Sequence, residues 1–335
     1  MELIDKYNKL NNSFKKNYIF HIGAEAGFYS EFNNMVYAIL YCLKYKYKFI
    51  LYSREANFRI NKGWEDFFEP FCHTTDTILL NRLNTRTTAP SLNRKQKIQY
   101  KLFKLFYPNT LLTYQLWPYF FCPAFEKETF VIPELGINGS LRDAARIIVN
   151  MIYRPNRILK TDVQNTLDNL QLPNEYISIN VRRGDKNTEF DYVSIETFIN
   201  AIKEKSKCKN LFIFTDDYSV IEELNVINTI EQYKLYYLVN KDDRGYVHKN
   251  FGKLKITEKY SNLLKMFTSV EIMSNAQISF GSFTNNPGFF LGMRMSEDKF
   301  VSLQKSIWYQ FEMSDVVNVM SKEMRNFLES VDAKL

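Results

Sequence analysis

The stretch "YISINVRRGDK", residues 176–186, sets the frame for the whole chain. Ile177, Ile179 and Val181 alternate with small polar residues and predict a short strand. The strand then runs straight into Arg182, Arg183, Gly184, Asp185 and Lys186. A strand needs no such ending in order to fold, so three cations around one carboxylate mean either a surface salt-bridge cluster or a bound anion.

Working outward, the pattern repeats. Residues 210–215 ("NLFIFT"), 233–239 ("YKLYYLV") and 277–282 ("QISFGS") read as further strands. Between them lie helical segments through "SIETFINAIKEK", "YSVIEELN" and "SNLLKMFTSVEIMSNA". Strands alternating with helices predict a parallel sheet, whose ligands bind beyond the carboxyl ends of the strands. Near the start, "NYIFHIG", a loop over residues 23–34, a helix carrying Met35, Ile39, Leu40 and Leu43, and "KFILYS" form a second strand-helix-strand unit. Residues 60–140 are aromatic and weakly periodic. Residues 141–175 return to helical spacing, broken at Pro155 and ended near Pro173, and read as a bridge.

With 335 residues, 45% of them hydrophobic, the chain exceeds what one core supports, which predicts two domains of about 150 residues each. We place them at 1–160 and 161–335, with a last helix allowed to cross back to the first. Cys42, Cys72, Cys122 and Cys208 are widely spaced without a CxxC pair, so neither a disulfide framework nor a zinc knuckle is expected. The N-terminus lacks the apolar run of a signal peptide. The expected location is cytoplasmic, with peripheral membrane contact as an option.

That option rests on charge. Residues 1–170 carry 23 Lys and Arg against 15 Asp and Glu, and the remainder 21 against 22, so the net +7 divides into +8 and -1. Much of the excess lies in "LNRKQKIQYKLFKLF", 92–106, which has the pattern of a basic amphipathic helix. No motif of a nucleic-acid-binding module appears. The greasiest run, 103–125, is interrupted by Lys104, Pro108, Asn109, Gln115 and Pro118, so it is expected to be interior or substrate-facing.

At the strand ends, the forks of Arg182 and Arg183 match phosphate oxygens, Gly184 permits a sharp turn, and Lys186 adds charge. Asp185 would hold an arginine or cap the turn. Asp216 and Asp217 end the next strand and could bind a ribose, orient the arginines, coordinate Mg²⁺, for which the nearby cations leave little need, or, for one of the two, serve as a cap. Ser282, Thr284, Asn285 and Asn286 precede a helix that starts near Pro287, a suitable setting for an anion. The chain contains no GxGxxG, no GxxxxGK[ST] and no HExxH, so dehydrogenase, NTPase and zincin readings lose their main support, and the missing glycine fingerprint counts against an epimerase. A nucleotide held as a leaving group remains, against a noncatalytic glycan-binding module that would use the aromatic segment alone.

Together, "IYRPNRILKTDVQNTLDNLQLPNEYISINVRRGDK", "FIFTDD" and "VEIMSNAQISFGSFTNNPGFFLGM" resemble the α-1,6-fucosyltransferases and the wider fucosyltransferase superfamily, over roughly residues 145–293. "NNMVYAILYCL" is similar to a helix start in α-1,2-fucosyltransferases. The resemblance implies a GT-B fold of two Rossmann-like doubly wound domains facing a cleft, acceptor-side first and donor-binding second. It implies inverting transfer from a nucleotide sugar, GDP-fucose first, to a glycan hydroxyl, with neither metal nor other cofactor. It gives Arg182 to the β-phosphate and Lys186 to the departing diphosphate. Asp185, Asp216 and Asp217 would shape the donor pocket, and Thr284 or Asn285 falls where the family has a serine near the phosphates; read from the residues themselves, Ser282 beside them and Gly23 in the first strand-to-helix loop join the donor-binding set. Glu189 matches the family's candidate acid with one residue deleted; Glu25, His21 and Glu31 are alternative bases. Two positions depart: Asn180 replaces a histidine two residues before the first arginine, and Ser269, with Glu271 nearby, replaces the acid that reads guanine. A UDP-sugar donor on the same phosphate site is the alternative.

Overall fold

The computed structural model describes residues 2–23, 26–76, 93–116, 120, 123–185 and 190–308. It divides into two compact units, the first comprising residues up to Arg154 together with Trp308, the second Pro155–Ile307.

The first unit opens with helix α1 (Leu3–Ser13) and strand β1 (Lys16–His21). Helix α2 (Phe28–Tyr45) follows and ends on Lys46 in the left-handed conformation, so that strand β2 (Tyr47–Tyr52) starts one residue later. Strand β3 (His73–Thr74), helix α3 (Arg94–Phe106), strand β4 (Thr110–Leu112) and the single turn α4 (Thr113–Leu116) come next. The unit closes with the turn α5 (Pro123–Glu126), a hairpin of β5 (Phe130–Ile132) and β6 (Ile137–Gly139), and helix α6 (Leu141–Ile152). Strands β3-β2-β1-β4 form one parallel sheet in that order. Helix α2 presents apolar or aromatic residues around most of its circumference. Phe28, Phe32, Tyr37, Tyr41 and their neighbours are buried, and Phe28 packs on Trp64 and Phe68.

The second unit begins with helix α7 (Arg157–Leu170), capped by Asn156, whose Oδ1 accepts from the amide of Leu159 at 2.9 Å. Then follow β7 (Ile177–Val181), α8 (Ile195–Lys205), β8 (Asn210–Thr215), α9 (Ser219–Glu231) and β9 (Lys234–Tyr237). The turn α10 (His248–Phe251), α11 (Ile256–Asn275), β10 (Ser279–Gly281), α12 (Asn286–Arg294) and β11 (Phe300–Ser302) complete it. All five strands are parallel in the order β11-β10-β7-β8-β9. The chain winds from β7 outward through β8 and β9, then returns to the other flank for β10 and β11. This is the doubly wound arrangement, with its switch point between β7 and β10. Strand β7 is buried along its whole length, as a central parallel strand with both faces covered must be.

The strands expected at 176–181, 210–215, 233–239 and 277–282 all form, the second with the same bounds. Strand β11 adds a fifth. In the run 103–125 the structure separates two roles: Phe103, Leu112, Leu116, Phe120 and Phe125 are buried, whereas Leu105, Phe106 and Tyr107 are exposed. Among the described residues no helix is long and apolar enough to cross a membrane.

Candidate nucleotide-diphosphate site

Three loops meet at the carboxyl end of the second sheet. The loop after β7 turns at Gly184, whose φ is +69° and whose missing Cβ would stand 2.4 Å from the Tyr246 carbonyl oxygen. The segment after β9 passes so close that only glycine fits there. Asp216, at the end of β8, ties the loops together. Its Oδ1 accepts from the Arg183 amide at 2.8 Å, and its Oδ2 accepts from the Tyr246 amide at 2.6 Å and from the Arg182 guanidinium. The amide of Asp185 in turn donates to the Tyr246 carbonyl at 3.2 Å.

Arg182 therefore has a fixed direction. Besides Asp216, its Nη2 meets Asp185 Oδ1 at 2.9 Å, and its guanidinium lies 5.0 Å from the centre of the Tyr246 ring. Of the two acids Asp185 is the more accessible, 37% exposed against 17% for Asp216. Burial pushes the Tyr246 phenol up to about 12, with Arg182 opposing and Asp185 reinforcing the shift, so this ring faces the cation in its neutral form.

Arg183 is used differently. Its fork reaches the Val193 carbonyl at 3.3 Å and Glu223 Oε2 at 3.4 Å, and it stacks 4.8 Å over the Tyr192 ring. Tyr192 closes the circuit by donating to the Gly184 carbonyl at 2.7 Å. Asp217 holds the turn into α9: its Oδ1 accepts from the Ser219 amide at 2.9 Å, and its backbone bridges to Arg244.

Beyond β10, Ser282 and Thr284 pair their hydroxyls at 2.7 Å and share Gln304, while Asn285 caps α12 through Gly288 N–H at 2.8 Å. A Cβ on Gly288 would sit 2.1 Å from the Ser282 carbonyl, so the helix start is folded back against the strand end. Between this turn and the end of β7 lies a shallow open hollow bordered by Arg182, Arg183, Asn180, Tyr192 and Gln304. It lies at the switch point between β7 and β10, where a doubly wound sheet offers room for a ligand.

Arg182, Arg183, Asp185, Asp216, Asp217, Ser282, Thr284 and Asn285 are thus gathered at one sheet edge. Lys186, Glu189 and Glu25 lie outside the described residues. Gly23 belongs to the first unit, where its amide donates to the buried Glu31 carboxylate at 3.3 Å and its carbonyl accepts from Asn57. His21, at the end of β1, is buried, and its Nε2 stands 3.5 Å from Glu55 Oε2. The sequence reading missed Gly245, Tyr246, Tyr192 and Gln304. The only advance signal was the turn chemistry of "DDRGY" at 242–246, where Gly245 has a φ of +78°. Among the described residues no group of three or more His, Cys, Asp or Glu could hold a metal ion.

No family model matches the chain, and no curated protein does. Solved structures do. NodZ α-1,6-fucosyltransferase co-crystallized with GDP is 13% identical, with a TM-score of 0.48 over 84% of this chain and 92% of that one. NodZ from Bradyrhizobium gives the same identity and score. A mutant of Arabidopsis thaliana FUT1 in complex with GDP is 12% identical, with a TM-score of 0.49 over 88% of this chain and 73% of that one. POFUT1 in complex with GDP-fucose is 10% identical, with a TM-score of 0.49 over 86% and 97%. These relatives are fucosyltransferases. At such identities the likeness carries no functional conclusion, which has to come from the chemistry of the strand ends.

Proposed function

We propose that the chain is a glycosyltransferase of GT-B type that binds the diphosphate of a nucleotide sugar in the hollow between β7 and β10. One observation carries the reading: Arg182 and Arg183 border the hollow on one side of the switch point, and Ser282, Thr284 and Asn285 at the start of α12 border it on the other. A diphosphate fits such a pair of walls, because the fork takes phosphate oxygens bidentately and the helix start favours negative charge. Asp185, the exposed partner of Arg182, acts as the placeholder that a phosphate displaces. Asp216 stays and keeps the fork aimed.

The finer reading is inverting transfer of fucose from GDP-fucose to a glycan hydroxyl without a metal ion, with the first unit on the acceptor side. As the glycosidic bond breaks, charge builds on the leaving diphosphate. Arg182 and Lys186 are the cations we assign to stabilising it. Glu189 is the proposed base on the acceptor hydroxyl, with Glu25, His21 and Glu31 as alternatives.

A specific observation favours a second donor class. Glu271, the carboxylate nearest the position of the missing guanine-reading acid, is held by Arg294 Nη1 at 2.9 Å and accepts from Asn275. A carboxylate so engaged is poorly placed to read a purine, which leaves a UDP-sugar as the other reading.

Calorimetric titration of the metal-free protein with GDP, UDP and ADP tests both. GDP preference followed by turnover of GDP-fucose supports fucosyl transfer, and UDP preference moves the donor while keeping the site. Binding of none of the three, with or without Mg²⁺, overturns the site.

A further inference from the structure

Helix α3 lies on the first sheet by one side only. Phe103 is buried against Ile19, Tyr52 and Leu112, with Tyr100 partly buried beside it. Lys104 turns back, its Nζ donating to the Thr110 carbonyl at 2.6 Å. The opposite side is apolar and uncovered: Ile98 is 55% exposed, Leu102 50%, Leu105 73% and Phe106 74%. At helical spacing these four occupy a single sector of about 100°. Arg94, Lys97 and Lys101, all exposed, fill the adjoining sector, and the exposed Lys95 stands within the apolar one, between Leu102 and Phe106. The helix contains no Asp or Glu.

We propose that this outer face of α3 docks on an anionic lipid surface, with Leu102, Leu105 and Phe106 entering the headgroup boundary and Arg94, Lys95, Lys97 and Lys101 engaging lipid phosphates and carboxylates. The charge pattern selects the occupant. A second copy of the chain would set cationic helix against cationic helix. A polynucleotide would satisfy the lysines and leave two of the most exposed apolar side chains of the molecule against phosphates. A bilayer surface of negative charge satisfies both sectors at once, as interfacial amphipathic helices do. The inference is independent of the donor site, which belongs to the other unit.

The test is flotation of the full-length protein with vesicles of phosphatidylcholine alone and of phosphatidylcholine mixed with phosphatidylserine, at low and high salt. The expected result is flotation with the mixed vesicles alone, suppressed by salt. Lys97→Ala and Lys101→Ala should each weaken it about fivefold. The pair Leu105→Glu and Phe106→Glu should abolish it while the thermal midpoint and nucleotide binding stay as in the parent, since these side chains support no core. Equal flotation with neutral vesicles, no flotation at all, or undiminished flotation of the Leu105→Glu, Phe106→Glu variant overturns the proposal. So does a light-scattering mass showing an oligomer that this variant dissolves, because the face would then belong to another copy.

Discussion

Gly184 and Gly245 touch through their backbones: a Cβ on Gly245 would stand 2.7 Å from the Gly184 Cα. Both have positive φ, +69° and +78°. Two loops from different strand ends are therefore stacked without side chains between them, and the Tyr246 amide reaches Asp216 only because of that approach. Gly245→Ala adds both a clash and a left-handed strain of about 1 kcal/mol or more. Nucleotide affinity is expected to fall at least tenfold in calorimetry, and the unfolding free energy by about 1 kcal/mol or more, read from the denaturant midpoint.

The two adjacent arginines should separate by phenotype. Arg182 borders the hollow with its fork on Asp185 and Asp216, and Arg182→Ala removes charge-assisted hydrogen bonds that contribute about 1.5–3 kcal/mol, so nucleotide affinity drops about tenfold to a hundredfold. Arg183 spends its fork on Val193, Glu223 and Tyr192, so Arg183→Ala should lower stability more than affinity. Parallel titration and urea denaturation of the two variants check the division.

Helix α6 starts with a reciprocal cap. Asp143 N–H donates to Ser140 Oγ at 3.3 Å, and Ser140 N–H and O–H donate to Asp143 Oδ2 at 3.2 and 2.6 Å. The hydroxyl bond holds the Asp143 carboxyl below the usual carboxylate range. Ser140→Ala should cost about 1 kcal/mol at neutral pH, read from the shift in denaturant midpoint. The loss should shrink as the medium is acidified, since a lowered acid contributes stability above its unfolded value and surrenders it below.

Stability should also decline in alkali. Burial pushes Tyr52, Tyr176 and Tyr246 each up to about 12, whereas an unfolded phenol ionises near 10. Below pH 10 both states are neutral and stability is full; between about 10 and 12 the unfolded chain gains by ionising and the folded one does not. Urea midpoints at pH 8, 9.5 and 11 should be flat over the first interval and fall over the second.

The central strands were legible by two different signals: Ile177, Ile179 and Val181 alternate with Ser178 and Asn180 at the period of a strand, and Leu211, Phe212 and Ile213 are a short apolar run of the kind a strand covered on both faces shows. Strands β4 and β11 have three residues each, too few to show a period, and β4 sits inside a continuous apolar run. At the site, Arg182 and Asp216 could be brought together on paper because both end neighbouring strands of a parallel sheet. Tyr246 could not, since it arrives on an irregular segment whose course is set by two glycines rather than by any periodic signal. The different fates of Arg182 and Arg183 were equally hidden. Adjacent residues at a turn diverge according to what stands around them, here Val193 and Glu223.

Helix α2 has a consequence for folding. Fifteen of its 18 residues are buried, so it has no solvated face on which to survive once its neighbours leave. Such a helix cannot open locally in small steps. Its amide protons should exchange as one block, at the rate of unfolding of the whole first unit, and a fragment ending before β4 should recover none of that protection.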